Sequence, residues 1–158
     1  MYIFYYSGIF LTGLAFGSFL NAWVFRTHEN IKISSGRSIC IFCHRQLAWY
    51  ENIPLFSFIF LKGKCRTCRK QISWQYPLVE LGIAIVFVLT AWWRGADAFL
   101  LTAPLLRDWI LVFNLAFIFL YDLRYGEILD GPTIPTAILL FLFSIPLGWQ
   151  TWQSMLVG

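Results

Sequence analysis

From Met1 to Phe25 the chain carries no charged side chain, and few folds accept such a run. Wound as a helix at 1.5 Å per residue it would reach about 35 Å, enough to cross a bilayer hydrocarbon core of about 30 Å. No basic segment precedes the run, and Trp23, Phe25 and Arg26 stand where a small-x-small cleavage site would follow it. It therefore reads as a retained transmembrane helix and not as a cleaved signal. Three more apolar runs follow. Pro77 to Trp93 contains only Glu80 as a charge, Trp109 to Leu123 only Asp122, and Gly131 to Gly158 none. With 59% hydrophobic and 13% charged residues, against roughly 45–50% and 25% in soluble domains, the chain is expected to be an all-α polytopic membrane protein. About four spans are predicted, at residues 1–25, 77–93, 109–123 and 131–150. The stretch 94–108 holds Arg94, Asp97, Arg107 and Asp108 and reads as a loop or interfacial segment, because a charge at the bilayer centre costs a few kcal/mol or more.

The basic residues set an orientation. Nine of the 12 Lys and Arg lie between the first two spans, against Glu29 and Glu51, so residues 26–76 carry a net +7. The positive-inside rule puts this segment in the cytoplasm and the N-terminus outside. Its acidic neighbours are then membrane lipid headgroups and not a nucleic acid.

All four cysteines fall in the same segment, as "CIFC" (Cys40, Cys43) and "CRTC" (Cys65, Cys68), with 21 residues between the pairs. Two Cys-x-x-Cys turns can supply the four thiolates of a tetrahedral structural Zn²⁺ site. Disulfides would need an oxidising compartment, and redox pairs usually come singly within a βαβ unit; structural zinc outweighs both. A segment of about 50 residues buries little core of its own, so an ion would make it fold. His44 is a fifth candidate ligand, read as an exposed polar residue. Leu55 to Leu61 is either a buried strand or a helix lying on the membrane surface, which periodicity cannot decide. In the first span Gly17, Ser18 and Asn21 combine close-packing residues with an interhelical hydrogen-bonding group. Glu80 reads as a residue that snorkels or pairs with a loop Lys or Arg.

In order along the chain, "GSFLNAWVFR" (17–26), the Cys segment from "CIFCHRQLAWYENIPLFSF" through "ISWQYPLVELG" (40–82) and "YDLRYGEILDGPTIP" (121–135) resemble the bacterial type IV prepilin peptidases. These are membrane aspartic peptidases that remove the leader of prepilins and pseudopilins and N-methylate the new terminus. The resemblance implies a bacterial inner-membrane location, S-adenosylmethionine as methyl donor and Asp122 as the first catalytic aspartate. It also places Asp130 at the end of the family's Leu-Pro-Asp, where Leu129 replaces the proline. The family's second catalytic aspartate lies in a Gly-x-Gly-Asp motif that does not occur in these 158 residues. The chain is thus expected to correspond to an N-terminal portion, with a second acid supplied by a missing C-terminal half or a dimer. On the residues alone Asp130 is a helix N-cap beside Pro132 and Thr133. The alternative is a non-proteolytic membrane module that binds prepilin or assembly components.

Overall fold

The charge-free run winds into one helix, α1 (Tyr2–His28), with Arg26 and His28 in its last turn, where cations complement the partial negative charge of the exposed carbonyls. It ends where the chain stops being apolar. Ile31 N–H donates to Arg26 O (2.8 Å) and Asn30 N–H to Thr27 O (3.3 Å), while Asn30 takes φ +55°. This is the paired closure with a left-handed residue that satisfies the last carbonyls of a helix.

In the computed structural model, residues 2–33, 37–95, 103–127, 131 and 133–138 are described. After α1 come a single 3₁₀ turn (Trp49–Asn52) and the short helix α2 (Phe56–Phe60), then the long helices α3 (Gln75–Trp93) and α4 (Ala103–Tyr125). No strand occurs among the described residues; two isolated antiparallel bridges join Ile39 to Gln46 and Lys64 to Gln71. Tyr2–His28, Gln75–Trp93 and Pro104–Tyr125 are each long and apolar enough to cross a membrane. The fold is therefore all-α and polytopic. Of the fourth expected span, Gly131 and residues 133–138 are helical and the remainder lies outside the described residues. The Leu55–Leu61 stretch is helical in its central five residues, which excludes the strand.

The chain forms two compact units, Met1–Leu89 and Thr90–Gly158. In the first, α1 and α3 pack antiparallel through small residues. A Cβ added to Gly13 would lie 2.5 Å from Ala84 Cα, and one added to Gly17 would lie 2.6 Å from Glu80 Cα. One turn further, Asn21 Nδ2 donates to Tyr76 O (3.2 Å). Each step of four along α1 is thus a step of four back along α3. Lipid chains are as apolar as leucine, so contact between spans depends on this close backbone approach and on hydrogen bonds worth about 1 kcal/mol each. Leu14, Leu20, Val24, Ile83, Ala84 and Phe87 are buried in this unit, and Phe16 stacks at a tilt on Phe87 with centroids 5.8 Å apart.

In the second unit α4 begins at Ala103, so residues 103–108, expected in an interfacial segment, are helical and carry Arg107 and Asp108 within the helix. The two charges are not isolated. Asp108 accepts from Arg94 Nε (2.9 Å) and Nη2 (2.5 Å) through one oxygen and from Arg107 Nη2 (2.9 Å) through the other. Pairing removes the cost of placing each alone beside hydrocarbon. Trp109 Nε1 donates to Thr90 Oγ1 (3.0 Å). At its other end α4 closes on Gly126, at φ +67°, whose N–H donates to Asp122 O (2.7 Å). Only a residue free of Cβ adopts that conformation without cost.

Candidate functional site

The two cysteine pairs sit on copies of one local structure. Cys40 N–H donates to Arg45 O and Cys65 N–H to Lys70 O, both at 2.9 Å; His44 N–H returns to Cys40 O (2.8 Å) and Arg69 N–H to Cys65 O (3.1 Å). His44 and Arg69, which follow the second cysteine of each pair, both have positive φ (+54° and +58°). Leu47 N–H to Ser38 O (2.8 Å) and Ile72 N–H to Gly63 O (2.7 Å) close the two knuckles. Each tight turn aims its pair of thiols inward, and the four sulfurs, Cys40, Cys43, Cys65 and Cys68, lie within 4.8 Å of one another. Cys40 Sγ and Cys68 Sγ are 3.9 Å apart. Thiolates about 2.3 Å from a tetrahedral ion lie about 3.8 Å from each other, so the group fits a single metal ion. All four cysteines are free, and a disulfide would need its sulfurs at about 2 Å. His44 is exposed and outside the group.

The electrostatics favour one sulfur anion here, at Cys65. Amide N–H groups of Cys68 and Thr67 draw the Cys65 thiol down to about 6, against the opposing effect of burial. At Cys68 the Lys70 amide acts in the same sense, but burial and the neighbouring thiols of Cys65, Cys43 and Cys40 outweigh it and push that thiol up to about 11. Four thiols crowded together cannot all ionise unless a cation neutralises them. Behind the cluster, Arg45 Nη2 donates to Glu51 Oε1 (2.7 Å), and the Ala48 amide donates to Glu51 Oε2 (2.8 Å). The Arg45 hydrogen bond above all holds the Glu51 carboxyl below its ordinary value, against burial. The same guanidinium faces the Cys65 sulfur. Neither residue stood out in the sequence. Glu51 is three residues after Ala48, across a 3₁₀ turn that no apolar periodicity announces.

Glu80 also departs from expectation. It is buried, and its Oε2 accepts the Leu55 N–H (2.8 Å) in place of a Lys or Arg. Leu55, at φ +58° and ψ −50°, is the centre of a three-residue turn closed by Phe56 N–H to Pro54 O (2.6 Å). This turn class is strained, and the carboxylate on α3 holds it in place. A cavity of about 340 Å³ opens here, lined among others by Ser18, Asn21, Arg26, Phe58, Tyr76 and Glu80. Asn21 and Gly17 act in helix packing, and Ser18 lies on the cavity wall.

Asp122 lies in the last turn of α4 and is exposed. It belongs to the second unit, and the cysteine cluster to the first. Asp130 and Leu129 lie outside the described residues.

Over residues 11–94 the chain matches the family model of the bacterial peptidase A24 N-terminal domain. The chain belongs to this family. Prepilin leader peptidase/N-methyltransferases from Klebsiella pneumoniae, Myxococcus xanthus and Vibrio cholerae are 35%, 37% and 31% identical to it, across 96%, 95% and 94% of this chain. The chain in turn spans 67%, 43% and 60% of the lengths of those three relatives. No solved structure matches it. The matched stretch contains the knuckles, the Leu55 turn and the α1–α3 contact.

Proposed function

We propose that the protein acts as a prepilin leader peptidase/N-methyltransferase at the cytoplasmic face of a bacterial inner membrane, with residues 26–76 in the cytoplasm and the N-terminus outside. The observation that carries this reading is family membership, extended by relatives alike over nearly the whole chain. In the domain arrangement that goes with it, residues 1–25 form the first span, 26–76 a four-cysteine zinc domain, and 77–158 the remaining membrane domain. Zn²⁺ held by Cys40, Cys43, Cys65 and Cys68 would be structural, because four protein thiolates leave no position open for substrate.

Asp122 is the carboxylate we assign to peptide cleavage. An acid in the last turn of a helix faces the negative end of the peptide dipoles and costs about 0.3–1 kcal/mol; its placement there is better explained by chemistry than by stability. Exposure at the end of an apolar helix leaves it open to a leader held along the membrane surface. Hydrolysis needs a second carboxylate in contact with it. The two then share one proton, so that one deprotonates the attacking water while the other donates to the peptide carbonyl oxygen. Methyl transfer would draw on S-adenosylmethionine.

The test is cleavage of a prepilin by membranes containing this chain and, in parallel, its Asp122→Asn variant with zinc content matched. Cleavage lost in the variant is the expected result, and Asp130→Asn then asks whether the partner acid lies within these residues. Cleavage that survives in Asp122→Asn would overturn the assignment. A zinc-loaded chain that binds prepilin but never cleaves it, even with a longer relative supplied alongside whose aspartate matching Asp122 is replaced and whose second aspartate is intact, would favour a binding module.

A further inference from the structure

A second groove, of about 470 Å³, adjoins the cavity beside Asn21 and shares Phe58, Ile72 and Pro77 with it. Its walls come from three places: α2 (Phe58, Ile59), the turn into the second knuckle (Lys62, Lys64) and the start of α3 (Trp74, Leu78). These elements are fastened to one another. Phe58 meets Trp74 edge-to-face with centroids 4.9 Å apart. Gly63 N–H donates to Phe58 O (2.8 Å), Lys62 N–H to Ile59 O (3.0 Å) and Ile72 N–H to Gly63 O (2.7 Å), and Leu55 is tied to Glu80 on α3. A side chain at Gly63 would meet the Phe58 ring at 3.1 Å. The groove is therefore built into the fold and does not need a ligand to form.

Two properties define its occupant. The first is an apolar track. Leu78 (63% exposed) and Leu81 (37%) continue along one face of α3 to Ile85 and Leu89, all exposed, at the three- and four-residue spacing of a single helical stripe. On a helix that crosses a membrane this stripe is in contact with acyl chains, and the groove opens at its water-side end beside Trp74, 69% exposed, in the position of an interfacial anchor. Ile59 (68%) and Phe60 (81%) on α2 extend the apolar surface. The second property is positive charge. Lys62 and Lys64 are exposed at the rim, in a segment whose net charge is +7, and neither takes part in the ion pairs of the described residues. Lys62 is held there by the backbone, as the left-handed residue (φ +52°) that closes α2.

We propose that this groove binds one anionic phospholipid of the adjoining leaflet, its phosphate between Lys62 and Lys64 and an acyl chain along Leu78 and Leu81. Such a lipid fastens the cysteine domain to the membrane surface, with α2 lying in the interfacial plane. The proposal requires only that α3 spans a membrane; it is independent of peptidase activity.

The full chain in zwitterionic detergent is titrated with dioctanoyl phosphatidylglycerol and with dioctanoyl phosphatidylcholine, and bound lipid is counted by native mass spectrometry. The expected result is preferential retention of phosphatidylglycerol, lowered about tenfold or more in Lys62→Asn/Lys64→Gln, since each cation near an anionic headgroup is worth on the order of 1 kcal/mol. Asparagine at 62 keeps the left-handed conformation, and unchanged zinc content certifies the fold. Lys32→Gln/Arg37→Gln removes the same charge away from the groove and the knuckles and should leave retention intact. Equal retention of both lipids, equal losses in the two double variants, or displacement of the lipid by glycerol phosphate at matched concentration would each overturn the proposal. The last outcome would make the site one for free phosphates.

Discussion

Cys65 is the most deeply placed of the four sulfurs, 4% exposed, and two amides and the Arg45 guanidinium converge on it. Cys65→Ser should therefore release zinc and open residues 26–76 to protease, read by metal analysis and limited digestion. Unchanged zinc would exclude the metal assignment. A pH dependence follows from the same sulfur. Its folded value near 6 lies below the ordinary 9.0, so its contribution to stability is complete above pH 9 and is lost as pH falls through about 6. Zinc retention in the presence of a chelator should fall over that lower range, because protons and metal compete for thiolate. The opposite displacement at Cys68, from 9.0 to about 11, acts only at alkaline pH and leaves the acid limb unchanged. The cysteines were legible in the sequence because a Cys-x-x-Cys turn is local and its spacing alone brings two sulfurs together. Glu51 and Glu80 were not. What each carboxylate does depends on a partner, the Arg45 guanidinium or the Leu55 amide, whose approach is set by tertiary packing.

At the scale of the helices, the close approach of α1 to α3 rests on two glycines. Gly17→Ala would place a methyl 2.6 Å from the Glu80 Cα, backbone that cannot rotate away. The helices would have to separate, at a cost of about 1–3 kcal/mol or more, together with the Asn21 hydrogen bond one turn below. Gly82→Ala is the matched control, with nothing within 4 Å of its added methyl. Thermal unfolding in detergent should show a lowered Tm for the first variant and no loss for the second; equal behaviour would mean that α1 and α3 do not pack as described. The small residues were evident in "GSFLN", but not their partner, because a glycine says that something comes near and leaves open what does. The start of α4 was misplaced for a related reason. Arg107 and Asp108 look unsuited to an apolar helix until Asp108 is seen to pair with both Arg107 and Arg94.

For the whole molecule, the charge asymmetry predicts a topology. Protease added outside intact spheroplasts should spare residues 26–76, and the same protease should cut them in inverted membrane vesicles once zinc is stripped. Cleavage from outside would reverse the orientation and remove Asp122 from the cytoplasmic face. The apolar, helical character of the long runs, the sign of the connecting segment, the paired cysteines and the family resemblance were all determined by sequence alone, because each depends on composition or on residues close together in the chain. Tertiary structure alone decided that the two knuckles meet within bonding distance of one ion. It also decided that a strained turn at Leu55 rests on Glu80, that α1 and α3 run antiparallel through Gly13 and Gly17, and that a groove opens where α2 meets the apolar stripe of α3. These contacts join residues far apart in the chain, as distant as Gly13 and Ala84, and their energies come from shape and desolvation at surfaces that exist only after the helices have packed.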